Sequence, residues 1–288
     1  MSMSMSPATA TLERTVGAAR AAPAPFLIDS HAHVSHRGLA LASDRRYAPD
    51  HDAPLDLFLR RLDEHGMSHG VLVQPSYLGN DNSYLEACLK AAGGRLRGIA
   101  MLDPETSPGE LARLDRAGFV GVRLNLLGKP MPDFESTVWQ RFANELAWLG
   151  WQIEIQRPAA DLAPVMASLL GSGTNVVFDH FLLPDPKLGI DDPGFRKLLK
   201  FASAKRLWAK ISAPYRNGPD GEAFARRAYP LLRAAFGPDR LLWGSDWPHL
   251  QHEGSETYGR GLAFFESLEP DPAIRARILA NPKDLYRF

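Results

Sequence analysis

Two histidines near the start of the chain, His31 and His33, are separated by a single residue at the end of an apolar run. Phe26, Leu27 and Ile28 precede them, and such a run is typical of a strand that is buried on both faces. Because side chains alternate between the faces of a strand, both imidazoles project from the same face. The pair therefore indicates a site, although histidines with this spacing can also cap a strand by bonding to neighbouring loops.

The composition narrows the class of protein. The chain has 288 residues, of which 45% are hydrophobic and 23% are charged, and its formal net charge is zero. The hydrophobic and charged fractions are typical of a globular protein. The zero net charge makes nucleic acid and anionic membranes poor candidates as partners. Cys88 is the only cysteine, which excludes an internal disulfide and multi-cysteine metal motifs. We therefore expect a cytoplasmic protein with a small-molecule partner, while its oligomeric state stays open.

Eight apolar segments alternate with helical patterns along the chain. The helical intervals are long enough to provide the crossovers that parallel strands require. A doubly wound sheet would also fit this alternation, but no glycine-rich dinucleotide motif follows the first segment. The sequence therefore predicts a single (β/α)8 TIM barrel over residues 26–288, preceded by a flexible leader over residues 1–25. The predicted strands cover residues 26–33, 69–76, 96–103, 121–127, 152–157, 175–181, 207–213 and 240–248.

Polar residues follow several of these strands at their carboxyl ends, where barrels of this type place their active sites. Burial of such side chains is costly, so they are candidates for function. In addition to the histidine pair they are Gln74, Ser76, Arg123, Lys129, Gln156, Arg157, Asp179, His180, Tyr215, Arg216 and Asp246.

Three of these motifs together resemble the amidohydrolase superfamily and its amidohydrolase-related branch: IDSHAH on the first strand, the pair Asp179-His180, and WGSDWPH at residues 243–249. Within the branch, GVRLN on the fourth strand, SAPYR at residues 212–216 and the terminal NPKDLYRF are similar to 2-pyrone-4,6-dicarboxylate lactonases. The similarity extends from about Phe26 to Phe288. It implies a TIM-barrel hydrolase that opens a cyclic ester, with an EC 3.1.1-type activity.

The aspartate of the last strand, Asp246, is the predicted general base. It ends an apolar strand in a region that also holds imidazoles and cations, and nearby positive charge should keep it ionised against desolvation. The resemblance implies that it takes a proton from water. The alternative is a structural aspartate that caps the loop before Trp247 and Pro248.

The three histidines allow two interpretations. They could donate hydrogen bonds to a substrate carbonyl, or bind a divalent metal such as zinc together with the last-strand aspartate. Metal-using relatives in the branch usually have a further histidine on the fifth strand, where this chain has Gln156. Lactonases of this type need no metal, so the resemblance favours hydrogen-bond donors and no required cofactor. The four residues concerned are His31, His33, His180 and Asp246.

Three cations, Arg123, Lys129 and Arg216, form a possible clamp for a carboxylated substrate. The planar guanidinium of arginine binds a carboxylate bidentately, and lysine adds a point charge. Related lactonases tend to have arginine at the position of Lys129 and tyrosine at that of Gln156. Both are predicted substrate-binding positions, so the identity of the acid stays open. Each cation could instead be a solvated loop charge, most plausibly Lys129.

Tyr47 and Ser76 are further candidates for substrate contacts, and a loop role is equally compatible with each. We therefore predict a lactonase of aromatic compound catabolism that acts on 2-pyrone-4,6-dicarboxylate or a related lactone. The alternatives are a metal-dependent decarboxylase of an aromatic or muconate-type acid, a lactone isomerase of the same branch, and a barrel that binds a carboxylated ligand without turnover.

Overall fold

Eight parallel strands form one sheet in the order of the sequence. The computed structural model describes residues 26–288, so the predicted leader lies outside the described residues. Each strand pairs with the next one along the chain. The strands are Ile28–Ala32 (β1), His69–Val73 (β2), Leu96–Ala100 (β3), Phe119–Asn125 (β4), Gln152–Gln156 (β5), Asn175–Phe178 (β6), Leu207–Ser212 (β7) and Leu241–Gly244 (β8).

The two ends of the sheet meet just beyond β1 and β8. A parallel bridge joins Ala32 and Trp247. The amide of Asp246 donates to the carbonyl of His31 at 2.8 Å, and the amide of His33 donates to the carbonyl of Trp247 at 2.7 Å. These bonds close the sheet into a barrel and confirm the predicted (β/α)8 architecture.

Helices follow the strands and cover the outside of the barrel. The pattern of residues 160–173 predicts one helix, but the structure has two short ones there, because Pro164 lacks an amide donor and interrupts the helix. Among the described residues, no helix is long and apolar enough to span a membrane. The helices are Leu55–Glu64 (α1), Ser83–Ala91 (α2), Pro108–Arg116 (α3), Thr137–Leu149 (α4), Ala159–Leu162 (α5), Met166–Gly171 (α6), Pro193–Phe201 (α7), Gly221–Phe236 (α8), Tyr258–Leu268 (α9), Pro272–Ala280 (α10) and Pro282–Leu285 (α11).

Two apolar layers hold the barrel together. The larger layer lies between strands and helices, and it contains Phe58 of α1 and Phe195 of α7, both fully buried. A smaller cluster inside the barrel includes Val71, Val177 and Tyr286. Tyr286 follows the last helix, so the carboxyl-terminal segment packs against the interior and leaves the opposite end of the barrel for the site.

Candidate active site

The four predicted catalytic residues lie in one buried cluster at the carboxyl ends of β1, β6 and β8. Oδ1 of Asp246 is 3.6 Å from Nε2 of His31 and 3.5 Å from Nε2 of His33. The ring centroids of His31 and His180 are 4.9 Å apart. The convergence that the sequence predicts is therefore present, whereas the chemical role of each residue remains a prediction.

A clamp between β1 and the segment after β8 sets the position of Asp246. Oδ1 of Asp29 accepts from the amides of His31 and Ser245 at 3.1 and 2.9 Å, and its Oδ2 accepts from the Ser245 hydroxyl at 2.6 Å. Gly244 permits this approach, since a Cβ there would lie 2.6 Å from Cβ of His31. Asp246 follows with a φ of 57°, in the left-handed region that few residues other than glycine adopt.

The two carboxylate oxygens of Asp246 have different surroundings. Oδ2 accepts from the hydroxyl of Tyr215 at 2.8 Å and from Nε of Arg216 at 2.6 Å. Oδ1 has no hydrogen-bond partner among the described residues. Burial favours the neutral acid, but Arg216 and the neighbouring imidazoles outweigh it and hold the pKa of Asp246 well below its usual range. The group is therefore an ionised carboxylate with one oxygen free to accept a proton.

The environment of His33 determines which ring nitrogen carries its proton, whereas the partner of His180 is a hydroxyl, which can donate or accept. Nδ1 of His33 lies 2.7 Å from the carbonyl of Val73, which can only accept, so this nitrogen carries the proton. Burial lowers the pKa of His33, and its neutral ring then presents an acceptor at Nε2, not the donor that we predict from the sequence. Nδ1 of His180 lies 2.9 Å from Oγ of Ser212, and burial lowers its pKa to about 4.

A cavity of about 830 Å³ adjoins this cluster. Its size is that of a site for a small organic molecule. Seven of the residues that are candidates from the sequence line it, namely His33, Tyr47, Ser76, Arg123, Gln156, Tyr215 and Arg216.

Lys129 is not among the residues that line this cavity. Its Nζ pairs with Asp44 at 2.9 Å, and the two side chains are 39% and 66% exposed. Arg46, in the long loop after β1, lines the cavity and donates to Oδ1 of Asn125 at 3.2 Å. The structure thus brings together two of the three predicted cations and adds Arg46. The sequence pattern gave no signal for Arg46, because this residue lies within a loop and not at a strand end.

Gln156 orients one of the arginines. Its Oε1 accepts from Nη2 of Arg123 at 2.5 Å, and both side chains are buried. The same nitrogen is 3.6 Å from Oδ2 of Asp179. Nε of Arg123 has no partner in the described part of the chain. This guanidinium is therefore held in place while keeping a donor available.

Two fully buried charges inside the barrel, Glu154 on β5 and Lys210 on β7, lie outside the set of residues that the sequence predicts for the site. Nζ of Lys210 donates to Oε2 of Glu154 at 2.6 Å, and the hydroxyl of Tyr286 donates to Oε1 at 2.7 Å. A usable signal was present, since Glu154 is the only charged residue of β5 and Lys210 is the only charged residue of β7. Such charges are buried only when they are paired.

A metal would find suitable spacing in this cluster but ligand atoms that are already engaged. Ligand atoms of His31, His33 and Asp246 all lie within 4.8 Å of one another, as do those of His31, Asp179 and His180, which is near enough for each set to converge on one ion. However, the carboxylate already pairs with Arg216, and the ammonium of Lys210 lies 2.8 Å from Nδ1 of His31. An ammonium can only donate, so Nδ1 of His31 accepts from it and the neutral ring carries its proton on Nε2, which leaves no free lone pair for a metal. The donor set therefore does not fit a tightly held metal.

The barrel and the site are those of an amidohydrolase-type enzyme. The amidohydrolase family model matches residues 28–288, so the chain belongs to this family. A 2-pyrone-4,6-dicarboxylate hydrolase of Comamonas testosteroni is 32% identical over 273 residues, which cover 90% of this chain and 89% of that protein. A 4-sulfomuconolactone hydrolase of Rhizobium radiobacter is 29% identical over 284 residues, 93% and 94% of the two chains.

A solved structure supports the same relationship. The crystal structure of a probable 2-pyrone-4,6-dicarboxylic acid hydrolase from Acinetobacter baumannii, with citric acid bound, superposes with a TM-score of 0.89. It is 38% identical and covers 91% of this chain and 100% of its own.

Proposed function

We propose that this chain hydrolyses a small lactone that carries carboxylate groups, with 2-pyrone-4,6-dicarboxylate or a related lactone as substrate. The observation that carries the proposal is the asymmetry of Asp246, whose Oδ2 is held while Oδ1 is free and faces the histidines. The names of the relatives support a lactone. The citric acid bound in the Acinetobacter baumannii protein supports a cavity for carboxylates.

Asp246 is the general base of the proposed reaction. A water molecule beside Oδ1 gives up a proton to this oxygen while its own oxygen attacks the lactone carbonyl carbon. General base catalysis contributes roughly 10²–10⁴-fold. The Nε2 acceptor of His33, 3.5 Å from the same oxygen, can accept the second proton of the water as a hydrogen bond and so orient it.

The ring opens after this attack. Imidazole N–H groups of His31 and His180 stabilise the oxyanion that forms on the carbonyl oxygen, and each such donor is worth about 3 kcal/mol. The bond between the carbonyl carbon and the ring oxygen then breaks. The ring oxygen leaves as an enolate and takes the proton from Asp246, which restores the carboxylate and yields a ring-opened acid.

The carboxylates of the substrate bind to the arginines of the cavity. Arg123 and Arg216 stand at the inner end, beside Asp179 and Asp246. Burial and the charges of these two arginines lower the pKa of Arg46, and it makes no ion pair among the described residues. Its positive charge is therefore available to a second carboxylate of the substrate.

The proposed reaction requires no metal, because Asp246 activates water and the donors bear the charge of the oxyanion. Product analysis in ¹⁸O-labelled water tests the function. We expect a panel of carboxylated lactones to include one that is opened with one ¹⁸O atom in the new carboxylate. Release of carbon dioxide would instead indicate a decarboxylase, and a rearranged lactone without label would indicate an isomerase.

A further inference from the structure

The ammonium of Lys210 is fully buried inside the barrel. It lies between Glu154, with which it forms an ion pair, and the candidate active site. Three acceptors surround its three protons. Oε2 of Glu154 is at 2.6 Å, Nδ1 of His31 at 2.8 Å and Oδ1 of Asp179 at 3.4 Å. An ammonium has no lone pair and acts only as a donor. Nδ1 of His31 must therefore accept.

This contact decides where His31 carries its proton. Burial and the charge of Lys210 hold the pKa of His31 well below its usual range, so the ring is neutral and has one N–H. With Nδ1 as acceptor, that proton is on Nε2, which is 3.6 Å from Oδ1 of Asp246. The other tautomer would donate from Nδ1 to Asp179 at 3.4 Å, and it would place two donors 2.8 Å apart.

The neighbouring ring has the opposite arrangement. The carbonyl of Val73 keeps the proton of His33 on Nδ1, so its Nε2 presents a lone pair. Both Nε2 atoms lie within 3.6 Å of Oδ1 of Asp246. One imidazole can therefore donate to the substrate while the other accepts from water.

We propose that Lys210 is a positioning residue for the reaction proposed above: by donating to Nδ1 of His31 it keeps an N–H on Nε2, directed at the reacting carbonyl. Glu154 holds the ammonium in place and compensates its charge. Tyr286 in turn holds Glu154, so the carboxyl-terminal segment supports the site from the far end of the barrel. This inference rests on the proposed function for its kinetic consequence, but its structural part can be tested without a substrate.

The direct test is long-range ¹H–¹⁵N NMR correlation of the histidine side chains, with His31 assigned by the loss of its signals in His31→Asn. We expect wild-type His31 to be protonated at Nε2. In the double variant Lys210→Met/Glu154→Gln, which removes both charges together, we expect the proton to move to Nδ1, toward Asp179. Tyr286→Phe is the matched control, since it breaks a bond of the same chain but leaves Lys210 beside His31, and the tautomer should not change.

Kinetics provides the second readout. The double variant should lose about 10²-fold in kcat, the size of one lost oxyanion donor, with little change in KM. Wild-type His31 protonated at Nδ1 would overturn the proposal, and this measurement needs no variant to fold. A double variant that keeps the Nε2 proton, or that keeps its kcat, would also overturn it. If the wild type opens no lactone, the proposed function fails, while the tautomer measurement still decides whether Lys210 sets His31.

Discussion

Nε of Arg216 lies 2.6 Å from Oδ2 of Asp246, and this contact determines the state of the candidate base. The carboxylate is fully buried, and burial alone would favour its neutral form. The guanidinium offsets that cost and occupies one oxygen only. The free oxygen then faces the imidazoles of His31 and His33, where a water molecule can be deprotonated.

Replacement of this arginine should shift the pH dependence of the reaction. In Arg216→Met the cation that lowers the pKa of Asp246 is lost, so that pKa rises and the carboxylate is protonated at a higher pH. The acid limb of kcat/KM should therefore move to higher pH, which a pH–rate profile measures. Arg216→Lys retains a charge and should shift the limb less. An acid limb unchanged in the methionine variant would contradict this account of the base.

Arg46 and Lys129 form a matched pair for testing the carboxylate clamp. Arg46 lines the cavity, whereas Lys129 pairs with Asp44 at the surface. Arg46→Met should raise KM about tenfold or more, since a charge-assisted hydrogen bond contributes about 1.5–3 kcal/mol. Lys129→Met should change KM little. A larger rise in KM for Lys129→Met than for Arg46→Met would contradict this assignment and support the clamp of Arg123, Lys129 and Arg216 that the sequence predicts.

The fold could be predicted from the sequence because its signal is local and repeated. Each strand is an apolar run that ends in polar residues, and each interval contains a helical pattern. The split of residues 160–173 into two helices shows the limit of this approach. The periodicity there continues through Pro164, where the missing amide donor and the clash of the ring with the preceding turn disfavour a helix interior.

The site could be predicted only in part, because strand ends indicate position and not orientation. His31, His33, His180 and Asp246 come together because the ends of parallel strands converge. Lys129 also follows a strand, but its side chain pairs outside the cavity. Arg46 reaches the cavity from a long loop whose path no periodicity describes.

Two buried histidines, His180 and His249, should each make a contribution to folded-state stability that is lost on acidification. Burial lowers the pKa of His180 and of His249 from 6.5 to about 4. Between these values the unfolded chain binds protons that the folded chain does not, so the free energy of unfolding decreases as the pH falls. The full effect is about 3 kcal/mol for each histidine. Urea unfolding at about pH 7 and about pH 4.5 measures it.

His249→Gln supplies the control for this prediction, since glutamine does not titrate in this range. The variant should lose less stability than the wild type between the two pH values. An equal loss in both proteins would show that His249 does not contribute to the pH dependence.

Removal of metal should leave the reaction intact. Among the described residues, His31 and His33 are those that could share a metal with Asp246. Lys210 contacts His31 and Arg216 contacts Asp246, so ligand atoms of both are already engaged. Protein dialysed against a chelator should therefore keep its lactone-opening rate, with metal content checked by elemental analysis. Loss of activity that stoichiometric zinc restores would favour the metal-dependent alternative.

The central claim is that the free oxygen of Asp246 takes the proton from water, and Asp246→Asn tests it most directly. The amide keeps the shape of the side chain but cannot act as the base. We expect kcat to fall by about 10²-fold or more, while calorimetry shows that the lactone still binds. A variant that binds the substrate and opens it at the wild-type rate would contradict the claim.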